Sequence, residues 1–262
     1  TYQTERIIEY AARKLGFDPI QIRRKNLNKP EELPHKTPMG LNIDSGNFPH
    51  LFEKTLKMTC PSELLERKKK VEHKGSLFGF AISPYLECTG GGPKEFAGIN
   101  FLSDETVKLS VGSQSTGMGH ETSLPQLLAS RLGIDYERII FTQADTDATP
   151  IGGGHGGSRG MELGGNAINQ AAVEIIDKAT DLAAYLLQSN ITKISFLDGH
   201  FRVGTSGASI SMNDVIKASL DDDRLPNNLK NGFLNTETIF ERSDISIPNG
   251  CHAAAVEVDP ET

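Results

Sequence analysis

The sequence predicts an α+β fold, with mixed sheets, packed helices and a helical N-terminal segment. Three observations carry that prediction. Helical periodicity dominates residues 1–75, strand-like runs recur over residues 76–262, and one long amphipathic pattern from Ile168 to Leu186 interrupts them. Residues 1–75 therefore read as a helical entry segment and connector, and residues 76–262 as an α+β region.

Each element has its own local reason. Thr1 leads directly into a pattern in which Ile7, Ile8, Ala11, Ala12 and Leu15 recur at helical spacing, and Gly16 stops it. Asp18 followed by Pro19 is an N-cap with proline in the first turn, which starts a second short helix through Arg24. Residues 28–46 are rich in proline, glycine and asparagine and read as an extended connector. Asp44 and Ser45 precede a third helix carrying Leu51, Phe52, Leu56 and Met58, and a charged fourth helix runs from Pro61 to Glu72.

The character changes near Gly75. Leu77 to Glu87 is strand-like, and Gly90 to Pro93 turns the chain. Strands at Phe96 to Leu102 and Thr106 to Val111 are joined by the tight link Ser103-Asp104-Glu105. A glycine-bearing loop then precedes a helix from Glu121 to Leu132, which Gly133 ends. Arg138 to Thr142 is a short strand, and a loop rich in aspartate and glycine covers residues 143–160. The longest helix follows, with Ile168, Ala171, Ala172, Ile175, Ile176, Ala179, Leu182 and Leu186 on one apolar face. Strands around Ile191 to Phe196, Thr236 to Phe240 and Cys251 to Val258, with a helix near Met212 to Leu220, complete the pattern.

Composition narrows the function classes. A chain of 262 residues buries one large core or two smaller ones. The net charge of -7 argues against a nucleic-acid partner, which calls for a basic face. Arg67 to Lys70 is the one dense basic stretch, and Glu63, Glu66 and Glu72 beside it make it a solvated helix face. No apolar run approaches the roughly 20 residues that cross a bilayer, so no membrane partner is expected. The N-terminus carries no secretory signal. Cys60, Cys88 and Cys251 form no CxxC pair, which argues against a zinc or Fe–S site on this chain and for buried free thiols in a reducing cytoplasm. The final strand halts at Asp259-Pro260-Glu261-Thr262, and together with the abrupt start this reads as a processed or excised segment.

The chemistry-bearing stretches are two glycine loops, residues 112–122 and 151–160, each between a strand and a helix. Glycines there let backbone N–H groups approach a ligand, and the helix start adds unpaired donors and the positive dipole end. Arg159 has the forked geometry that pairs with phosphate. The alternative is that both loops are simply turns. Gly152, Gly154 and Gly157 satisfy GxGxxG with Glu174 downstream, but the acidic stretch from Gln143 to Ile151 separates them from the strand, against a nicotinamide site. No GxxxxGK[ST] is present. His120, Glu121, Asp145, Asp147 and His155 lack a metal-ligand spacing. Asp145 and Asp147 read instead as residues that turn the loop through their own backbone, and the two histidines as ordinary hydrogen-bonding groups.

At these loops the sequence resembles the large subunit of the xanthine dehydrogenase, aldehyde oxidase and aerobic carbon monoxide dehydrogenase family. Gly117-Met118-Gly119-His120-Glu121-Thr122 is similar to that family's GQGHET stretch, and Asp145-Thr146-Asp147 with Pro150 and Gly156-Gly157-Ser158-Arg159 to its DTD-x-x-P…GSR stretch. Glu5 to Ile8, Ala11-Ala12, Gly16 to Pro19 and Arg23 to Leu27 resemble the helical segment after its YRGAGRPE loop. Cys251-His252 and Val256 to Glu261 resemble a strand in its final third.

The resemblance implies part of a molybdenum-cofactor-binding domain that holds molybdopterin, plain or as the cytosine dinucleotide. The implied reaction hydroxylates a carbon of an aldehyde, N-heterocycle or similar small-molecule substrate with water-derived oxygen, with a glutamate as base. Fe–S clusters and FAD would sit on partner subunits or domains. By position, Gln114, Thr116, Gly117, Met118 and Gly119 would line the pterin or its phosphates. Gly156, Gly157, Ser158 and Arg159 would form a second wall, with Gly157 nearest the metal and no metal ligand from the protein.

Two residues depart from the family pattern. Met118 stands where a glutamine usually hydrogen-bonds the cofactor, a contact a thioether does not replace. His155 stands where threonine or tyrosine is commoner. The GGGFG and YRGAGRPE loops would precede Thr1, and the GxGE segment with the catalytic glutamate would follow Thr262. The isolated chain is accordingly expected to be inactive, completed by the remaining parts of the large subunit. Glu121, at a helix start, does not take the glutamate's role. The alternatives are a non-catalytic cofactor-binding or assembly module and an unrelated phosphate- or nucleotide-binding α+β protein.

Overall fold

The computed structural model describes residues 2–204, 207–221, 223, 225–229 and 232–262; Thr1, with which the first helical pattern was begun, lies outside them. The chain forms two compact units, one from Thr1–Cys88 with Ser246–Thr262 and the other from Thr89–Ile245.

The first unit opens with α1 (Tyr2–Leu15) and α2 (Pro19–Asn26). Asp18 caps α2 as its sequence predicts, its carboxylate accepting the Ile20 N–H at 2.7 Å. The helix pair is locked by charge more than by the apolar stripe. Arg23 is buried between Glu5 at 2.7 Å and Glu9 at 3.3 Å and donates to the Pro19 carbonyl at 2.9 Å. Ala12 is buried while Ile7 and Leu15 are exposed, so periodicity located the helix but not its buried face.

The connector contains a miniature antiparallel hairpin, β1 (His35–Lys36) and β2 (Asn42–Ile43). Next come α3 (Phe48–Thr59), capped by Asn47, and α4 (Pro61–His73), whose Lys68 and Lys69 pair with Glu72 and Glu66. Phe52 and Leu56 of α3 are buried, whereas Met58 is exposed. The long strand β3 (Leu77–Leu86) ends this part of the chain.

In the second unit, β4 (Lys94–Phe101) and β5 (Val107–Val111) form the expected hairpin. The helix α5 (His120–Leu132) crosses over to β6 (Ile139–Thr142), which pairs parallel with β5. Then follow α6 (Gly165–Leu186), β7 (Ile194–Leu197), β8 (His200–Val203), β9 (Ser209–Ser211), α7 (Met212–Asp221) and β10 (Thr236–Glu241). The four-stranded sheet runs β10-β4-β5-β6, and β7-β8-β9 form a separate three-stranded sheet. Strands β8 and β9, of four and three residues, escaped the sequence reading, although β6 and β7, also of four, did not.

The chain then returns to the first unit as β11 (Asn249–Val258), paired antiparallel with β3 from Leu77↔Val258 to Leu86↔Asn249. This ten-residue ladder keeps β3 with the helical segment, so the change from helices to strands near Gly75 is not where the units divide. All three cysteines belong to this unit and are free, but half-buried rather than fully buried. Partial burial pushes the Cys251 thiol up.

The core of the second unit lies between its sheet and α6. Ile168, Ala171, Ala172, Ile175, Ala179 and Leu182 are buried against Ile99, Leu109 and Val111, with Leu124, Leu128 and Leu132 of α5 in the same cluster. Leu182→Ala is expected to cost about 2–5 kcal/mol, because the cavity in a packed core adds to the lost transfer energy. Urea unfolding checks this; a loss well under that range would mean the α6 face is loosely packed.

Candidate functional site

Both glycine loops lie in the second unit. Because β5 and β6 are parallel neighbours, residues 112–119 after β5 and residues 143–159 after β6 leave the same end of the sheet. The first loop enters α5 at Gly119, and the second enters a single π-type turn, Gly160–Gly164, that continues into α6. The nine residues from Gln143 to Ile151 do separate β6 from the GxGxxG glycines.

The loops touch main chain to main chain. A Cβ on Gly112 would fall 2.6 Å from the Gly152 Cα and closer still to the Ile151 carbonyl and Glu95 Oε1, and one on Gly152 would fall 2.7 Å from the Gly112 carbonyl. Only a residue without a side chain permits that crossing. The glycine turn after Thr89 joins them, with the Gly90 N–H donating to the Gly157 carbonyl at 2.6 Å.

Beneath the crossing lies an enclosed ion pair. Arg159 is 1% exposed and Glu95 0%. Arg159 Nη1 stands 3.1 Å from Glu95 Oε2 and donates to the Gly154 carbonyl at 2.9 Å, while Nη2 donates to the Lys94 carbonyl at 2.6 Å. The fork that the sequence assigns to a phosphate is therefore filled by protein. Its Nε alone is a buried donor without a partner. Glu95 also accepts the Ser113 hydroxyl at 2.8 Å and the Phe96 N–H at 3.0 Å.

The outward side of the loops is different. Gln114, Thr116, Gly117 and Met118 of the first loop are exposed and Gly119 is half-buried; Gly156, Gly157 and Ser158 of the second are exposed. Beside Gly117, Gly119, Gly154 and Gly156 there is open space where a side chain would stand. Ser158 holds a left-handed φ of 62°, a strained state for a residue with a side chain. No side chain caps the start of α5.

Cross-links hold this surface. The Ser115 N–H donates to Gln143 Oε1 at 2.7 Å, the Thr116 N–H approaches Met118 Sδ at 3.1 Å, and the Thr116 hydroxyl is 3.2 Å from His155 Nε2. Met118 and His155 thus both engage Thr116. His120 contacts Ser123 at 3.4 Å, and Asp145 accepts the Asp147 N–H at 3.0 Å, the turn its sequence implies. Among the described residues no group of three or more His, Cys, Asp or Glu side chains could hold a metal ion.

The Ser115 hydroxyl beside Glu121 is the main cause holding that exposed carboxyl below the usual glutamate range. Their approach falls short of good hydrogen-bond geometry, so the hydroxyl remains an open buried donor. A depressed carboxyl contributes stability above the ordinary glutamate pKa and loses it as pH falls through the lowered value. Ser115→Ala is expected to move the Glu121 titration upward, read by side-chain NMR; an unmoved titration would exclude the hydroxyl as the cause.

Three supporting residues went unnoticed in the sequence. Glu95 had one signal, an acid directly before the apolar run Phe96 to Ile99. Gln143 had none. Arg242 donates to the carbonyls of Thr89 at 3.0 Å and Gly91 at 3.2 Å and pairs with Glu162 at 3.2 Å, so it holds the turn from across the sequence. No local pattern announces such a contact.

Comparison with known proteins adds independent findings. The family profile of the molybdopterin cofactor-binding domain matches residues 56–262. The chain is 29% identical over its whole length to the carbon monoxide dehydrogenase large chain of Afipia carboxidovorans. It is 30% identical, again over its whole length, to the 6-hydroxypseudooxynicotine dehydrogenase complex subunit gamma of Paenarthrobacter nicotinovorans. It spans about a third, 34%, of each of these relatives. Among solved structures, quinoline 2-oxidoreductase from Pseudomonas putida 86 matches with a TM-score of 0.87 and 28% identity, over 99% of this chain and 34% of that one. The Cu,Mo-CO dehydrogenase matches with a TM-score of 0.87 and 29% identity, over 97% of this chain and 34% of that one.

Proposed function

This chain belongs to the molybdopterin cofactor-binding domain family, and from that premise we propose that it forms part of the large subunit of a molybdenum hydroxylase, with the two glycine loops gripping the cofactor. One observation carries the assignment to these loops. Parallel strands deliver both to one end of the sheet, and their outward glycines face open space that a ligand can fill.

The residues present suit an extended anionic pterin. Gln114, Thr116, Gly117, Met118 and Gly119 form one wall, where the uncapped start of α5 offers donors. Gly156, Gly157 and Ser158 form the other, with Arg159 behind it. When bound, the molybdenum–pterin group supplies the redox centre at which a carbon of an aldehyde, N-heterocycle or similar molecule is hydroxylated with oxygen from water. The chain's own part is to bind and orient that group.

Neither Glu95 nor Glu121 suits the role of a base. Glu95 is committed to Arg159, and Glu121 sits at a helix start beside Ser115. The catalytic glutamate is accordingly assigned to another part of the large subunit, and Fe–S and FAD centres to partner subunits or domains. A relative named as a subunit of a dehydrogenase complex supports such an assembly. The pterin is proposed as the cytosine dinucleotide, because two facing loops suit an elongated ligand better than a compact one. The compartment is proposed as cytoplasmic.

The test is molybdenum and pterin analysis of the full large subunit purified with its partners, beside Gly117→Val, with acid release of cytidine monophosphate to identify the dinucleotide. Gly117 has a φ of 107° and open space before it, so valine strains the loop and fills the proposed site. Stoichiometric cofactor in the unaltered protein and a loss of roughly 10-fold or more in the variant is the expected result. A well-folded unaltered protein without molybdenum would sink the assignment.

A further inference from the structure

Glu95 presents a buried charge that the cofactor reading does not by itself explain. It is the second residue of β4 and is fully enclosed, a placement that is costly for a carboxylate unless paired and hydrogen-bonded. Its partners come from both loops. The same oxygen, Oε2, accepts the Ser113 hydroxyl of the first loop at 2.8 Å and stands 3.1 Å from Nη1 of Arg159, which closes the second loop. Oε1 accepts the Phe96 N–H at 3.0 Å, which anchors the carboxylate to the sheet. Arg159 in turn holds the Gly154 carbonyl, and Gly91 and Gly153 leave room for its side chain.

Resting on the reading that these loops hold the molybdenum–pterin group, we infer that Glu95 and Arg159 are a positioning pair. They set the distance between the two walls and act on the cofactor through the loops, not by touching it. Because one carboxylate oxygen serves both loops, neither can shift without leaving a buried charge short of partners. Neutralising one member leaves the other charge enclosed and unpaired, which loosens both loops. Neutralising both with residues of similar volume removes that mismatch, since buried pairs replaced together are often tolerated. A direct contact behaves differently: once Arg159 is gone, changing Glu95 restores nothing.

The experiment compares Glu95→Gln, Arg159→Met and the double variant in the full large subunit with its partners, reading molybdenum and pterin content. Hydrogen exchange of peptides covering residues 112–119 and 150–160, against α6, is followed in cofactor-free protein. Each single variant is expected to lose cofactor roughly 10- to 100-fold, with faster exchange in both loops and unchanged exchange in α6. The double variant is expected to recover most of both losses. A double variant as empty as Arg159→Met, or single variants with normal content, overturns the inference.

Where Arg159→Met does not fold, Glu95→Gln, which neutralises the other member of the pair, is expected by itself to show the same loop-confined exchange; slow exchange there overturns the inference equally. Absence of pterin from the unaltered protein would defeat the cofactor reading alone. Joint loosening of the two loops in the exchange data would still uphold the coupling, and loosening of one loop only would overturn it.

Discussion

Arg159→Ala is expected to destabilise the protein by about 3–5 kcal/mol, the usual cost of breaking one side of a buried ion pair. The geometry puts it at the upper end of single-residue effects. Glu95 is 0% exposed, so water does not replace the lost guanidinium, and the carbonyls of Gly154 and Lys94 lose their donors at the same time. An unpaired buried acceptor carries its own desolvation cost. Guanidinium unfolding followed by circular dichroism checks the number. A loss below about 1 kcal/mol would place the pair with surface ion pairs and mean that water reaches Glu95.

Gly112→Val is expected to cost at least about 3 kcal/mol, at or beyond the upper end for forcing extra atoms into a packed site. The obstacles are not flexible side-chain tips. The new Cβ would meet the Ile151 carbonyl and the Gly152 Cα, both main chain, and the Glu95 carboxylate held by three donors. Relief requires the two loops to separate. Gly154→Ala is the internal comparison: it carries a left-handed φ of 66° but has open space where its Cβ would stand, so it meets backbone strain of about 1 kcal/mol without a clash. Thermal melting of both variants separates the effects. Equal melting temperatures would show that the loops do not depend on their crossing.

Local signals explain how much of the fold was legible. Asp18 and Pro19 announced α2, Gly133 ended α5, and the link Ser103-Asp104-Glu105 announced the β4–β5 hairpin. Each is a short-range matter of caps, turns and periodicity. The apolar face of α6 was legible for the same reason, since 22 residues give the period many chances to repeat. Strands of two to four residues give it few, so that β6 and β7 were legible whereas β1, β2, β8 and β9 were not.

At the site, the sequence by itself determined which stretches are bare backbone beside a helix start, because glycine and the strand–loop–helix order are local properties. Only the tertiary structure decided what those stretches meet. The parallel pairing of β5 with β6 brought loops about 40 residues apart in sequence into contact at Gly112 and Gly152. It also turned Arg159 inward onto Glu95, 64 positions away in sequence, and recruited Arg242 to Gly91, 151 positions before it. Charge pairing inside a core depends on which groups lose their water together. That is settled by packing between distant segments, and no window of neighbouring residues contains it.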